Sequence, residues 1–94
     1  CPVAPLEAMA CGTLTIVSAL RCFDDYLKHE QTGMVFDHRV SSPSDSLATT
    51  LSRLLSDEEL CRAIRARAHQ QIEELSLTKV AGRYLMEFER LVAP

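Results

Sequence analysis

The chain has 94 residues, 47% of them apolar and 24% charged, and a net charge of −3. This is the composition of a soluble globular protein, with room for one small domain or part of a larger one. It carries no basic tract of the kind nucleic acid requires and no apolar run long enough to span a membrane.

Ala4 to Ala10 reads as a short helix, with Pro5 in its first turn and Gly12 just past its end. Thr13 to Ser18 is a nearly continuous apolar and β-branched run. It predicts a strand, assigned to 14–18, buried on both faces as in a parallel sheet. Ala19 to Phe23 reads as a loop, and Asp24 to His29 as one or two helical turns. Gln31-Thr32-Gly33 is turn chemistry, and Met34 to Phe36 reads as a second strand.

Three helices are predicted after a polar connection from Asp37 to Ser42, at about 43–55, 57–73 and 77–92. Ser42 is placed to cap the first, with Pro43 at its first position and Asp45 in its first turn. Ser56 is expected to open the second, with Glu59 completing a capping box. Ser76 is expected to cap the third. Its stripe of Leu77, Val80, Ala81, Tyr84, Leu85, Phe88, Leu91 and Val92 calls for burial. Arg62, Arg65 and Arg67, behind Asp57, Glu58 and Glu59, read as a solvated helix face. Helix–strand–helix–strand–helix is the end of a doubly wound α/β sheet, so further strands are expected upstream of Cys1 and the chain reads as a fragment.

The four cysteines, at 1, 11, 22 and 61, form no C-x-x-C pair, and the three histidines complete no zinc spacing. Cys11 and Cys61 fall at apolar positions of helical patterns, which predicts buried, reduced thiols and a cytoplasmic setting.

Leu6-Glu7-Ala8-Met9-Ala10-Cys11-Gly12-Thr13 resembles the most recurrent motif of the family 4, or group 1, glycosyltransferases, L-E-A-M-A-C-G-T-P-V-V-A-S. Thr32-Gly33-Met34-Val35-Phe36 matches that family's next turn and strand. Leu51 to Leu60 matches its helix pair, and Leu75-Ser76 through Tyr84 its last helix. The resemblance implies the GT-B fold, two Rossmann-like domains across a cleft, with this chain as the C-terminal half of the second. It implies that the last helix crosses back toward the missing N-terminal domain.

It also implies the chemistry: glycosyl transfer from a nucleotide-sugar donor, with retention. The acceptor is a glycan, lipid or small molecule. No cofactor and no metal are implied, since the nucleotide-diphosphate sugar is the substrate. The enzyme would be cytoplasmic, at most peripheral to a membrane. The family carries a pair of glutamates in this region. Glu7 matches the second, which bonds the ribose hydroxyls of the donor; the first falls ahead of Cys1. The backbone N–H groups of Val3, Ala4 and Leu6 match those facing the diphosphate. Pro2, where many members carry Gly, and Pro5 have no N–H to offer.

Ligands of open α/β sheets bind beyond the carboxyl ends of strands. That makes the loop after the first strand a second candidate, with Ser18, Arg21 and Asp25 as its polar residues. Where the family commonly shows G-G-x-P-E, this chain has Arg21-Cys22-Phe23-Asp24-Asp25. Asp37-His38-Arg39 looks like a catalytic cluster, but sequence proximity makes no relay. Ser18 with His29 and Asp25 lacks a nucleophile elbow, so no catalytic residue is assigned. The fragment alone is expected to be inactive. Two other readings stay open: a non-catalytic α/β interaction module, and another GT-B enzyme such as a nucleotide-sugar epimerase.

Overall fold

The computed structural model describes residues 2–94; Cys1, and with it the expected thiol there, lies outside the described residues. Helix α1 spans Ala4–Ala10. Val3 precedes it and offers no side-chain oxygen, so the helix starts without a side-chain cap. Its end is better satisfied. Gly12 adopts φ 80°, the Gly12 N–H donates to the Met9 carbonyl at 3.1 Å, and the Thr13 N–H to the Ala8 carbonyl at 2.9 Å. This is a Schellman closure, and the left-handed residue it requires is the glycine of the motif.

Strand β1, Ile16–Ser18, pairs in parallel with β2, Met34–Phe36, in the register Ile16 to Met34, Val17 to Val35 and Ser18 to Phe36. β1 starts later than the expected Leu14, although the Thr15 carbonyl already accepts the Met34 N–H at 2.9 Å. Successive residues of a strand point to opposite faces, and two core clusters follow from that. Val17 and Val35 join Met9, Tyr26, Leu27 and Ala68. Ile16 joins Met34, Leu54, Cys61 and Ile64.

Three longer helices follow: α2 (Pro43–Ser56), α3 (Glu58–Glu74) and α4 (Leu77–Val92). Helix α3 serves both clusters, with Cys61 and Ile64 in one and Ala68 in the other. The Ser42 side chain makes no capping bond to α2. The expected capping box at Ser56 is corrected. Ser56 is still inside α2, and its hydroxyl donates to the Arg53 carbonyl at 3.2 Å. Asp57 ends α2 and caps α3, its carboxylate accepting the Leu60 N–H at 3.0 Å. A single shared residue leaves no room for Ser56 to cap. Ser76 does cap α4, accepting from the Lys79 N–H at 3.3 Å.

Three other expectations are corrected. The helical turn expected from Asp24 to His29 lies earlier, as a 3₁₀ turn at Arg21–Phe23. Tyr26 and Leu27 enter the core instead of continuing it. Cys61 is buried and its thiol donates to the Leu54 carbonyl at 3.0 Å, but Cys11 is exposed. At the end of a two-turn helix, position 11 faces outward while Met9 takes the core. The stripe of α4 is not buried: Leu85, Phe88 and Leu91 are 58%, 61% and 70% exposed. No described element covers that face. Among the described residues no helix is long and apolar enough to cross a membrane, and no group of His, Cys, Asp and Glu is placed to hold a metal.

Gly33 sets how closely the strands meet. A Cβ there would sit 3.0 Å from the Thr15 carbonyl oxygen and 3.0 Å from Leu27 side-chain atoms. The backbone oxygen cannot yield without opening the ladder. Gly33→Ala is expected to destabilise the protein by about 1–3 kcal/mol, the usual range for overpacking. A shift of the urea midpoint measures it, and an unshifted midpoint would show that the strands tolerate separation.

Candidate binding site at the head of α1

Helix α1 leads into β1 through the turn at Gly12, so its first turn lies at the carboxyl end of β1. The loop after β1 begins at that same end. A direct bond confirms the proximity: the Tyr26 hydroxyl donates to the Pro2 carbonyl at 2.9 Å. The head of α1 and Tyr26, just after the loop from Ser18 to Asp25, therefore lie side by side; open α/β sheets bind ligands beyond the carboxyl ends of their strands.

Leu6 and Met9 turn inward against the first core cluster. That leaves Glu7 exposed in the first turn, with no ion-pair or hydrogen-bond partner for its carboxylate among the described residues. The Glu7 N–H closes the first helical bond, to the Val3 carbonyl at 2.9 Å. Val3, Ala4 and Leu6 precede it, in the positions whose N–H groups have no carbonyl within the helix. Val3 and Ala4 are exposed and Leu6 is half-buried. A carboxylate and backbone donors at one helix start can take up vicinal hydroxyls and an anion respectively.

Ser18 ends β1 half-buried, and its carbonyl accepts the Leu20 N–H at 2.7 Å. Arg21 opens the 3₁₀ turn and is exposed, as is Asp25. Among the described residues no pocket is formed. Asp37 and Arg39 engage each other, the guanidinium at 3.0 Å from the carboxylate. The Arg39 backbone and side-chain hydrogen bonds hold the Asp37 carboxyl below its ordinary value. That local pairing makes Asp37 an anchor for the chain after β2.

Residues to which the sequence assigned no part in packing the loop hold it in place. Tyr26 is 2% exposed, and burial, followed by the nearby Cys22, pushes its phenol up, so it remains a donor. The Thr32 hydroxyl donates to the Tyr26 carbonyl at 3.1 Å and accepts the Lys28 N–H at 2.9 Å. His29 accepts the Val35 N–H through Nδ1 at 2.9 Å. Glu30, at φ 64°, pairs with Arg53 of α2, while Arg67 of α3 donates to the Glu30 and Gln31 carbonyls at 2.9 and 2.8 Å. The sequence signals for this were the turn chemistry of Gln31-Thr32-Gly33 and the apolar pair Tyr26-Leu27 inside a polar stretch.

Residues 1–71 match the family model described as "Glycosyl transferases group 1". The chain belongs to that family. It is 31% identical over 90 residues to "Uncharacterized glycosyltransferase YqgM" of Bacillus subtilis (strain 168), covering 95% of this chain and 24% of that protein. It thus spans about a quarter of the length of that curated relative. Its fold matches a sucrose-phosphate synthase from Thermosynechococcus elongatus with a TM-score of 0.80 at 24% identity, over 97% of this chain and 22% of that one. The fold is α/β, part of a Rossmann-like GT-B domain.

The loop's outer lacing has a pH signature. The Arg53 hydrogen bond, and after it the charges of Arg53 and His29, hold the Glu30 carboxyl below its ordinary 4.5. Its stabilisation is therefore complete above 4.5 and is lost as pH falls through the lowered value. Glu30→Gln is expected to melt below the parent at neutral pH, the two converging in acid. A gap that stays constant across the titration would assign the stabilisation to something other than this pair.

Proposed function

We propose that the whole protein, like the group 1 family it belongs to, transfers a glycosyl group from a nucleotide-diphosphate sugar to an acceptor, with retention. This chain contributes part of the donor site. The observation that carries the reading is Glu7: an exposed carboxylate in the first turn of α1, without a partner among the described residues. It sits inside the L-E-A-M-A-C-G segment that matches the family.

Two acceptor oxygens suit the two hydroxyl donors of a ribose. Bonds of that charged kind contribute roughly 1.5–3 kcal/mol each. The positive end of the helix favours the carboxylate and, through Val3, Ala4 and Leu6, a diphosphate. Arg21 adds a cation at the same edge, suited to a phosphate or an anionic acceptor. The chemistry proposed needs no resident cofactor or metal, because the donor carries its own leaving group.

In the whole protein, Glu7→Ala is expected to weaken nucleoside-diphosphate binding roughly 10- to 100-fold, the loss of one or two charged hydrogen bonds. Titration calorimetry reads it directly, and unchanged affinity would refute the ribose role. The 94-residue chain by itself is expected to release no sugar product from any nucleotide-sugar donor, since it holds only part of the site. Transfer by this chain alone would refute that.

A further inference from the structure

We propose that Glu74, Lys79 and Arg83 form a clamp that fixes the angle at which α4 leaves α3, and with it the direction of the apolar face of α4.

Helix α3 is anchored by burial, with Cys61, Ile64 and Ala68 in the core and Ile72 packed against it. Helix α4 is not. Of its 16 residues only Val80 is less than exposed, and none is buried. Packing against the described body therefore does little to fix where α4 points. Leu75 and Ser76 alone join the two helices. The turn bonds there, from the Leu75 N–H to the Ile72 carbonyl and from the Ser76 N–H to the Glu73 carbonyl, lie at the pivot itself. A bond at the pivot has no lever arm against tilting of the helix beyond it.

The charged contacts do have one. Lys79 and Arg83 stand four positions apart, on one face of α4. Both reach back to Glu74, the last residue of α3. The Lys79 ammonium donates to one carboxylate oxygen at 3.0 Å. The Arg83 guanidinium donates to the other at 3.1 Å and to the Glu74 backbone carbonyl at 2.9 Å. Arg83 lies about 9 Å along the axis from Leu77, at 1.5 Å per residue. Helix α3 has no basic residue in its own last turn. Arg83 supplies across the bend the donor and the cation that a helix C-terminus favours. The Lys79 hydrogen bond, and after it the charges of Lys79 and Arg83, hold the Glu74 carboxyl below its ordinary value, so it is ionised at neutral pH.

Exposed ion pairs contribute little to stability. Direction is a different quantity, decided by what else competes to set it. Among the described residues no other hydrogen bond or ion pair links a side chain of α4 to α1, α2, α3 or the sheet.

The test uses the full 94-residue chain and residual dipolar couplings of its backbone amides, which report how two helices are oriented relative to each other. In the parent, the couplings of α3 and α4 are expected to fit a single alignment. Glu74→Gln keeps the side chain's size and removes its charge. Arg83→Met keeps the apolar stem and removes the fork of donors. Each is expected to shrink or rotate the α4 couplings relative to those of α3. Glu87→Gln makes the same change of charge but breaks only the Arg90 pair within α4, and is expected to leave the common alignment intact. Carbon chemical shifts show whether both helices stay formed. If α4 still shares the alignment of α3 in Glu74→Gln and Arg83→Met, the proposal is overturned. A parent whose two helices share no alignment overturns it as well. So does equal loosening by Glu87→Gln, or melting of α4 in place of reorientation, because the contacts would then support the helix and not its direction.

Discussion

The parallel pairing of β1 with β2 is the constraint on which the rest of the structure depends. Parallel neighbours cannot be joined by a hairpin; the chain must leave one end of the sheet and return to the other. Here the return, from Ala19 to Gly33, contains a 3₁₀ turn, further turns and an isolated bridge between His29 and Gly33, but no α-helix. A helical crossover would satisfy its own backbone and bring its own apolar face. This one has to find substitutes for both. Tyr26 and Leu27 supply the apolar face, and Thr32 bonds the backbone of the turn on both sides. Gly33 then lets the chain enter β2 at a distance that no side chain allows.

The outside of the crossover is held differently from the inside. Glu30 gathers Arg53 and His29 around its carboxylate, and Arg67 reaches its carbonyl from another helix. These groups are largely exposed, and exposed ion pairs contribute little individually. Their effect is to fix where α2 and α3 meet the turn. Stability resides in Ile64, Met34, Met9 and Tyr26, each at most 2% exposed. The two kinds of contact differ in place: burial lies inside the crossover, and the charged contacts tie its outside to α2 and α3.

Much of this was legible in the sequence where one residue type answers one geometric need. Gly12 had to end α1, since its φ of 80° penalises any side chain. The β-branched run before Ser18 read as a strand, and β1 is one, though shorter than expected and fully buried only at Val17; Ser76 had the oxygen a helix start requires. Legibility ended where two residues competed for one task. Ser56 and Asp57 both qualify as caps, and only the one-residue break between α2 and α3 decides for Asp57. Cys11 followed a helical period that the helix does not continue. The stripe of α4 was read correctly as apolar, but its exposure depends on which surfaces lie within reach, which periodicity does not encode. Glu7 was singled out by its motif, and the structure has it exposed in the first turn of α1. The Tyr26 bond to Pro2 was not legible, because a hydroxyl contact across 24 positions has no local signal.

These differences follow from what each residue has to do. Glu7 is exposed, with no partner for its carboxylate among the described residues, so its presence asks little of the fold. The groups that hold the chain around it are of another kind. A residue that fixes a direction must itself be immobile, and immobility in a small domain comes from burial. Tyr26 meets that requirement, with its ring in the core and its one polar atom at the boundary. This edge of the domain therefore has two layers: exposed residues such as Glu7 and buried ones such as Tyr26. The exposed layer tolerates substitution without unfolding. In the buried layer the smallest informative change is the loss of a single oxygen.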